Sequence, residues 1–131
     1  MKIKGNLFIH TKEDALKYKG VTSVGGSLDI NADADLDALT SVGGHALPSA
    51  EEADKNLRRI APLALADGAL EMNAWHCGTS HCIAGWGQKE ILGIENQTTA
   101  SIDGTRVLGL EATKHFHVGD EKAREFLRQY I

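Results

Sequence analysis

The first 48 residues carry a short hydrophobic pattern that returns about every 20 residues. The segments "IKGNLFI" (3–9), "VGGSLDI" (24–30) and "VGGHALP" (42–48) share a glycine at their third position. A period of this length is typical of a solenoid, in which each repeat contributes one short strand. Apolar residues alternate with other residues in the first two segments, as expected of strands with one buried face.

This repeat predicts a short parallel, solenoid-like β-sheet of two to three coils. The side chains expected to point inward are Leu7, Ile9, Leu28 and Ile30 in the strands, with Leu16, Leu36, Leu39, Val24 and Val42 completing the stack. The competing interpretation is a plain β-meander with antiparallel strands. Because solenoids need roughly three or more repeats to be stable alone, the rest of the chain is expected to cap this one.

From residue 49 onward the pattern changes to the spacing of amphipathic helices. Ser49 followed by Glu52 forms a capping box. The apolar face expected of the first helix is Ala53, Leu57, Ile60 and Ala64. Pro62 is expected to bend or interrupt that helix. Three further helices are predicted over residues 82–92, 102–110 and 121–130, the first ended by Gly93 and the last capped by Asp120.

These patterns together predict an α+β fold in which a C-terminal helical subdomain caps the parallel sheet. We expect a single domain over residues 1–131, with a β-repeat layer (1–48) and a helical layer (49–131). The boundary near Ser49 separates two layers of one domain, because neither half could bury its hydrophobic face alone.

Composition and charge exclude several classes of function. The chain of 131 residues is 42% hydrophobic and 24% charged, which is ordinary for a globular domain. Its net charge of −4 gives no basic surface for direct nucleic-acid binding or for an anionic membrane. No apolar run is long enough to span a bilayer, and the N-terminal residues do not resemble a signal peptide. We therefore expect a cytoplasmic protein.

One segment, "NAWHCGTSHCIAGWG" (residues 73–87), holds both cysteines, both tryptophans and two of the six histidines. As a metal site it would use His76, Cys77, His81 and Cys82, since zinc prefers thiolates and imidazoles. Ligand pairs in zinc sites are usually separated by about two to four residues, whereas these are adjacent. We therefore expect no stoichiometric zinc, and no other cofactor is indicated.

A catalytic thiol is a second interpretation of the same segment. Cys82 would lie at a helix start, where the helix dipole lowers a thiol pKa, and His115 or His117 would activate it. The aromatic residue that follows the nucleophile in papain-like enzymes is missing, and no orienting group can be assigned. A disulfide between Cys77 and Cys82 is geometrically possible, but a reducing cytosol disfavours it.

The third interpretation is structural. Thr79 or Ser80 would cap the helix that begins near Cys82, and Gly85 would let a neighbouring helix approach. The side chains expected to be buried on one face are Cys82, Ile83 and Trp86. On this interpretation burial raises the pKa of the Cys82 thiol. Cys82→Ser would then weaken stability more than Cys82→Ala.

Both halves of the chain also resemble known groups of sequences. Residues 3–47 resemble the leucine-rich solenoid of receptor L domains and the "LTSVGGSLDI" repeats of hypothetical bacterial and phage proteins. Residues 70–130 resemble small hypothetical proteins of bacteria and phages that carry a W-x-C-G-T-x-x-C-I-A-G core. The core positions here are Trp75, Cys77, Gly78, Thr79, Cys82, Ile83, Ala84 and Gly85. The second resemblance implies a recurrent mobile-element module and carries no activity.

The leading expectation is a non-catalytic protein-binding module, encoded by a phage or prophage, that inhibits or modulates a host defence protein. Its size, acidity and lack of a recognisable active-site pattern fit that class, although fold does not determine function. Two alternatives stay open. One is a small cysteine-dependent hydrolase or transferase that uses Cys82 with His115 or His117, and the other is a zinc-stabilised interaction module.

Overall fold

The computed structural model describes residues 1–31, 33–78 and 80–131, without the side chain of Cys77, and it shows an α+β fold. The strands are β1 (Lys2–Ile3), β2 (Leu7–Ile9), β3 (Ser23–Val24), β4 (Leu28–Ile30), β5 (Ser41–Val42), β6 (His45–Ala46), β7 (His76–Cys77) and β8 (Ser80–His81). The α-helices are α1 (Lys12–Lys17), α2 (Ala50–Ala64), α3 (Ile83–Gly87), α4 (Ala100–Thr113) and α5 (Asp120–Arg128), and a π-helical turn (Gln88–Leu92) follows α3. None of these helices is both long enough and apolar enough to cross a membrane.

The repeats pair side by side as parallel strands. β2 and β4 are in register, with Leu7 opposite Leu28 and Ile9 opposite Ile30. A second sheet has the order β1-β3-β5-β6, in which only the β5–β6 pair is antiparallel. Equivalent positions of the first two repeats are therefore neighbours, which excludes the β-meander and establishes a small, parallel-rich sheet.

The interior of the repeat layer contains the expected side chains with one exception. Those confirmed as buried are Leu7, Ile9, Val24, Leu28, Ile30, Leu36, Leu39 and Val42. Leu16 was expected among them, but it is 75% exposed. The short helix α1 instead packs Ala15 against the core, with Tyr18 one turn later. Residues three apart share a helix face whereas adjacent ones do not, so Leu16 points away.

The helix α2 begins as the sequence predicts. The Ser49 side chain accepts a hydrogen bond from the Glu52 backbone N–H at 3.1 Å. The predicted interruption at Pro62 is absent, since one helix continues to Ala64. Pro62 lies in the last turn of α2. Proline lacks a backbone N–H, but few helical residues follow this position, so the missing hydrogen bond does not interrupt the helix. Asn56, which the pattern does not single out, is buried and donates to the Val107 carbonyl at 2.8 Å.

Two hydrophobic clusters fill the molecule, and α4 touches both. One lies in the repeat layer, and the other lies among the helices from Leu57 to Leu127. Leu110 of α4 packs against the repeat cluster. At Gly43, which has a φ of +63°, an added Cβ would overlap the Ile102 side chain of the same helix. The two layers therefore make close contact along α4.

The three later helices agree with the prediction in position and differ in detail. The helix predicted over 82–92 is α3 plus the π-helical turn, and it ends at Gly93 with a φ of 71°. The helix predicted over 102–110 extends to Ala100–Thr113 and contains non-helical dihedrals at Gly109. Asp120 does not cap α5. Gly119 occupies the cap position, and Asp120 Oδ1 accepts from the Met72 backbone N–H at 3.2 Å.

Gly85 was expected to let a neighbouring helix approach, but the group that it admits is a different one. A Cβ at Gly85 would overlap the carbonyl oxygen of Trp75, so this glycine admits the preceding loop and not a helix. The close approach of two helices occurs at Gly104 of α4 instead. A Cβ there would lie 2.7 Å from the Cβ of Ala84 in α3.

Candidate functional site

A short hairpin brings two histidines of the conspicuous segment together. β7 and β8 pair antiparallel, with His76 directly opposite His81. Gly78 has a φ of 62° in the connecting turn, a conformation that side chains other than glycine rarely adopt. Directly opposed residues project to the same face of a hairpin. The two rings consequently meet, with 2.7 Å between their Nδ1 atoms.

The neighbouring Gln88 fixes the proton position on His76. Its Nε2 donates to the Asn96 carbonyl and to Asp103 Oδ2, both at 2.9 Å. Its Oε1 accepts from the Asn96 backbone N–H. These partners identify Oε1 as an acceptor, so the 2.7 Å contact with His76 Nε2 needs a proton on that nitrogen. In a neutral ring, His76 Nδ1 then carries a lone pair.

The hydrogen bond between the two rings also fixes the proton position on His81. His81 Nδ1 must donate to the lone pair on His76 Nδ1, so His81 Nε2 also carries a lone pair. That atom is buried and has no hydrogen-bond partner among the described residues. Its close polar neighbour is Glu95 Oε1 at 3.6 Å. Burial, followed by the charge interaction with His76, lowers the pKa of His81 and favours the neutral ring.

The loop after the π-helical turn positions Glu95. Gly93 ends the turn in a left-handed conformation, and the next residues return toward Gln88 through Asn96. Thr99 Oγ1 donates to Asp103 Oδ2 at 2.9 Å and secures the end of this loop. The Glu95 side chain is 48% exposed, and its Oε1 lies 3.9 Å from His76 Nδ1. His76, His81 and Glu95 thus form a cluster of three groups able to hold a metal ion.

Cys82 turns away from this cluster into the helical core. It is the N-cap of α3, and its Sγ accepts from the Gly85 backbone N–H at 3.3 Å. Ser80 was expected to cap this helix, but its hydroxyl donates to the Gly68 carbonyl. The other expected cap, Thr79, lies outside the described residues. Cys82 carries a free thiol, and burial raises its pKa to about 11.

The histidines proposed as partners of Cys82 occupy two different environments. His115 stacks on Phe126 with 4.1 Å between ring centres, and its Nδ1 donates to the Glu111 carbonyl at 2.8 Å. His117 lines a cavity of about 310 Å³ together with Cys82. In the part of the chain that the structure describes, neither histidine makes a hydrogen bond to the Cys82 sulfur. The geometry therefore shows no thiol–imidazole pair.

His117 belongs to a second polar cluster, which joins the two layers. Asp29 of β4 places its Oδ1 3.3 Å from His117 Nε2 and 3.4 Å from His10 Nε2. The Trp75 ring meets the His117 ring edge to face. The sequence did not indicate Asp29 or His10, because only the parallel register of β2 and β4 brings these positions together.

A third feature is a groove beside α1. It has a volume of about 360 Å³, and Ala15 and Leu16 supply its apolar lining. Its charged lining residues are Lys12, Lys19, Asp33 and Asp35. The exposed leucine is therefore surrounded by charges of both signs.

Among the described side chains, Cys82 does not join His76 and His81 in a metal site, and the proposed catalytic pair of Cys82 with His115 or His117 is not hydrogen-bonded. The Cys77 side chain lies outside the described residues, and Cys82 faces the core. Sequence reasoning missed Glu95 and Gln88, for which the one local signal is the helix stop at Gly93.

No protein-family model, no curated protein and no solved structure matches this chain.

Proposed function

We propose that the protein is a non-catalytic protein-binding module, encoded by a phage or prophage, that inhibits or modulates a host defence protein. The observation that carries this proposal is the exposure of Leu16, which the repeat pattern places in the core. Exposing a large apolar side chain to water costs free energy that burial in a partner would recover. The buried state of Cys82 supports a function without a nucleophile.

The groove around Leu16 has the composition of a protein-binding surface. Interfaces commonly combine an apolar centre with a polar rim, and a few anchor residues carry most of the binding energy. Leu16 supplies the apolar centre, and the lysines and aspartates that line the groove supply the rim. The matching partner surface would insert an apolar side chain here and place charged groups of both signs around it.

We also propose that the repeat layer is a short solenoid. The strands β2 and β4, together with β1, β3 and β5, follow one another as successive turns of a short solenoid. The parallel register and the shared glycine positions support it. On this interpretation α1 is the connecting element of the first coil, and the partner binds at that connector.

Affinity capture from cytosol of a bacterial host tests the proposal, with the captured protein identified by mass spectrometry and then purified. Leu16→Lys is the disrupting variant, and Leu63→Lys is its control because Leu63 is a 41% exposed leucine on α2. We expect the purified partner to bind the wild type and Leu63→Lys equally, and to bind Leu16→Lys at least ten times more weakly. Equal binding to all three proteins would contradict the assignment of this surface.

The alternative is a small cysteine-dependent hydrolase or transferase using Cys82. One observation favours it, because Cys82 and His117 line the same cavity. Its test is the rate of iodoacetamide modification of native Cys82 at pH 7, measured by mass spectrometry. The binding-module proposal expects protection of Cys82 until unfolding. Rapid modification that is lost in His117→Ala would favour the enzyme.

A further inference from the structure

We propose that His76, His81 and Glu95 form a binding site for one divalent transition-metal ion, with zinc as the ion that fits best. The ligand set differs from the one that the sequence led us to reject, because it contains no thiolate. The site is independent of the binding surface around Leu16, so the two proposals can fail separately.

His81 Nε2 has no hydrogen-bond partner in the part of the chain that the structure describes, and this is the first support for a metal. A buried polar atom without a partner carries a desolvation cost that folded proteins usually avoid. His81 is fully buried, and its Nε2 lone pair faces the Glu95 carboxylate at 3.6 Å. Both groups are electron donors, so their proximity is unfavourable in isolation. A cation between them would accept both lone pairs.

The distances from the Glu95 carboxylate to the two histidines are close to those between ligands of a tetrahedral zinc site. Zinc bonds to nitrogen and carboxylate oxygen are about 2.0–2.1 Å long, so the ligand atoms of a tetrahedral site lie about 3.3 Å apart. Glu95 Oε1 lies 3.6 Å from His81 Nε2 and 3.9 Å from His76 Nδ1. The three residues offer ligand atoms that all lie within 4.8 Å of one another, so the side chains must move closer together to bind one ion. His76 Nδ1 would then exchange its hydrogen bond to His81 for the metal.

His76 is already held in an orientation suited to a metal ligand by its hydrogen bond to Gln88. A metal-bound histidine usually donates its other ring N–H to an oxygen acceptor, which fixes the tautomer and the ring orientation. His76 makes this contact, with Nε2 donating to Gln88 Oε1 at 2.7 Å. Gln88 is itself fully buried and held by Asn96 and Asp103. The lone pair of His76 therefore points toward His81 and Glu95 before any ion binds.

The ligand types identify the class of ion. Two imidazoles and one carboxylate suit zinc and other late first-row metals, whereas calcium and magnesium prefer oxygen ligands. Three protein ligands leave a further position for water or another donor. Glu95 is half exposed, so this position lies toward solvent.

Cobalt(II) titration of the full chain tests the site, with the visible ligand-field bands as the readout and zinc competition as the second step. The Trp86 ring lies 4.8 Å from the His81 ring, so quenching of tryptophan fluorescence provides an independent signal. We expect one cobalt ion per chain, displaced by one zinc ion. Absence of saturable binding at micromolar metal would overturn the proposal.

Matched variants assign the ligands. Glu95→Gln removes a partly exposed ligand, so folding should be unaffected, and Glu90→Gln is the control on the preceding helical turn. We expect Glu95→Gln and His76→Gln to weaken zinc binding at least tenfold, and Glu90→Gln and Cys77→Ser to leave it unchanged. Unchanged zinc affinity in Glu95→Gln would overturn this ligand set. Loss of zinc binding in Cys77→Ser would overturn it as well.

Discussion

The repeat layer differs from the segment that contains the β7–β8 hairpin and the start of α3. Related positions share one environment in the repeat layer, whereas adjacent residues enter different environments in the hairpin segment. In the repeat layer, residues at equivalent positions share one environment, so Leu7 and Leu28 are both buried and lie opposite each other. At the end of the hairpin, two adjacent residues have different roles. His81 faces a polar cluster, whereas Cys82 caps a helix from within the core. In a regular strand or helix, the sequence pattern predicts which side chains are buried. Where the backbone changes direction, as between His81 and Cys82, the pattern no longer predicts where a side chain points.

The largest expected effect is at the helix start. Gly85→Ala places a Cβ against the backbone carbonyl of Trp75, which cannot move without displacing the hairpin. We expect a loss of more than ~4 kcal/mol of unfolding free energy, or no folded protein. The matched control is Gly5→Ala in the repeat layer, where no atom lies within 4 Å of the new Cβ. Similar urea midpoints for the two variants would contradict the account.

A smaller loss is expected inside the repeat layer. Leu28→Ala removes a buried side chain that faces Leu7 across the parallel ladder, and it should cost ~2–5 kcal/mol. Phe8→Ala on the same ladder is the control, because Phe8 is 52% exposed and its truncation leaves no internal cavity. Denaturant unfolding measures both. An equal cost for the two variants would show that the ladder does not have one buried face.

Alkaline pH should destabilise the protein through Cys82. The folded pKa of about 11 lies above the ordinary value of 9.0, so the folded state favours the protonated thiol. Its contribution is fully present below pH 9.0 and is lost as the pH rises through about 11. By linkage the contribution is about 2–3 kcal/mol. Unfolding of the wild type and Cys82→Ala at pH 8 and pH 11 tests this, since the variant should lack this component.

The smallest effect distinguishes two substitutions of Cys82. From the sequence, a packing role for Cys82 implied that Cys82→Ser would weaken stability more than Cys82→Ala. The cap geometry favours the opposite order, since the sulfur accepts a capping hydrogen bond from the Gly85 backbone N–H and serine is a preferred N-cap residue. We expect Cys82→Ala to cost ~1–2 kcal/mol and Cys82→Ser to cost less. Thermal unfolding of both variants decides the order.

Much of the fold followed from the sequence, because the signals involved are local. The glycine-spaced repeat predicted the facing pair Leu7 and Leu28, and Ser49 predicted the start of α2. Leu16 was misassigned because α1 is a six-residue helix, and the repeat was interpreted without its 3.6-residue period.

The candidate site was predictable only in part. The segment 73–87 was identified correctly as a concentration of chemistry, and it contains His76 and His81. Adjacent spacing argued against four convergent ligands, and Cys82 does diverge. Glu95 and Gln88 were not foreseen, because their approach depends on the π-helical turn and on Gly93 returning the chain.

We propose that the hairpin and the loop after the π-helical turn hold a metal through nitrogen and oxygen ligands alone, while Cys82 packs in the helical core. X-ray absorption at the zinc edge of the zinc-loaded protein tests this most directly. The account predicts a first shell of nitrogen and oxygen at about 2.0–2.1 Å, with outer-shell scattering from two imidazoles. A sulfur shell at about 2.3 Å would contradict it, because a thiolate would then take the place assigned to Glu95 or to a histidine.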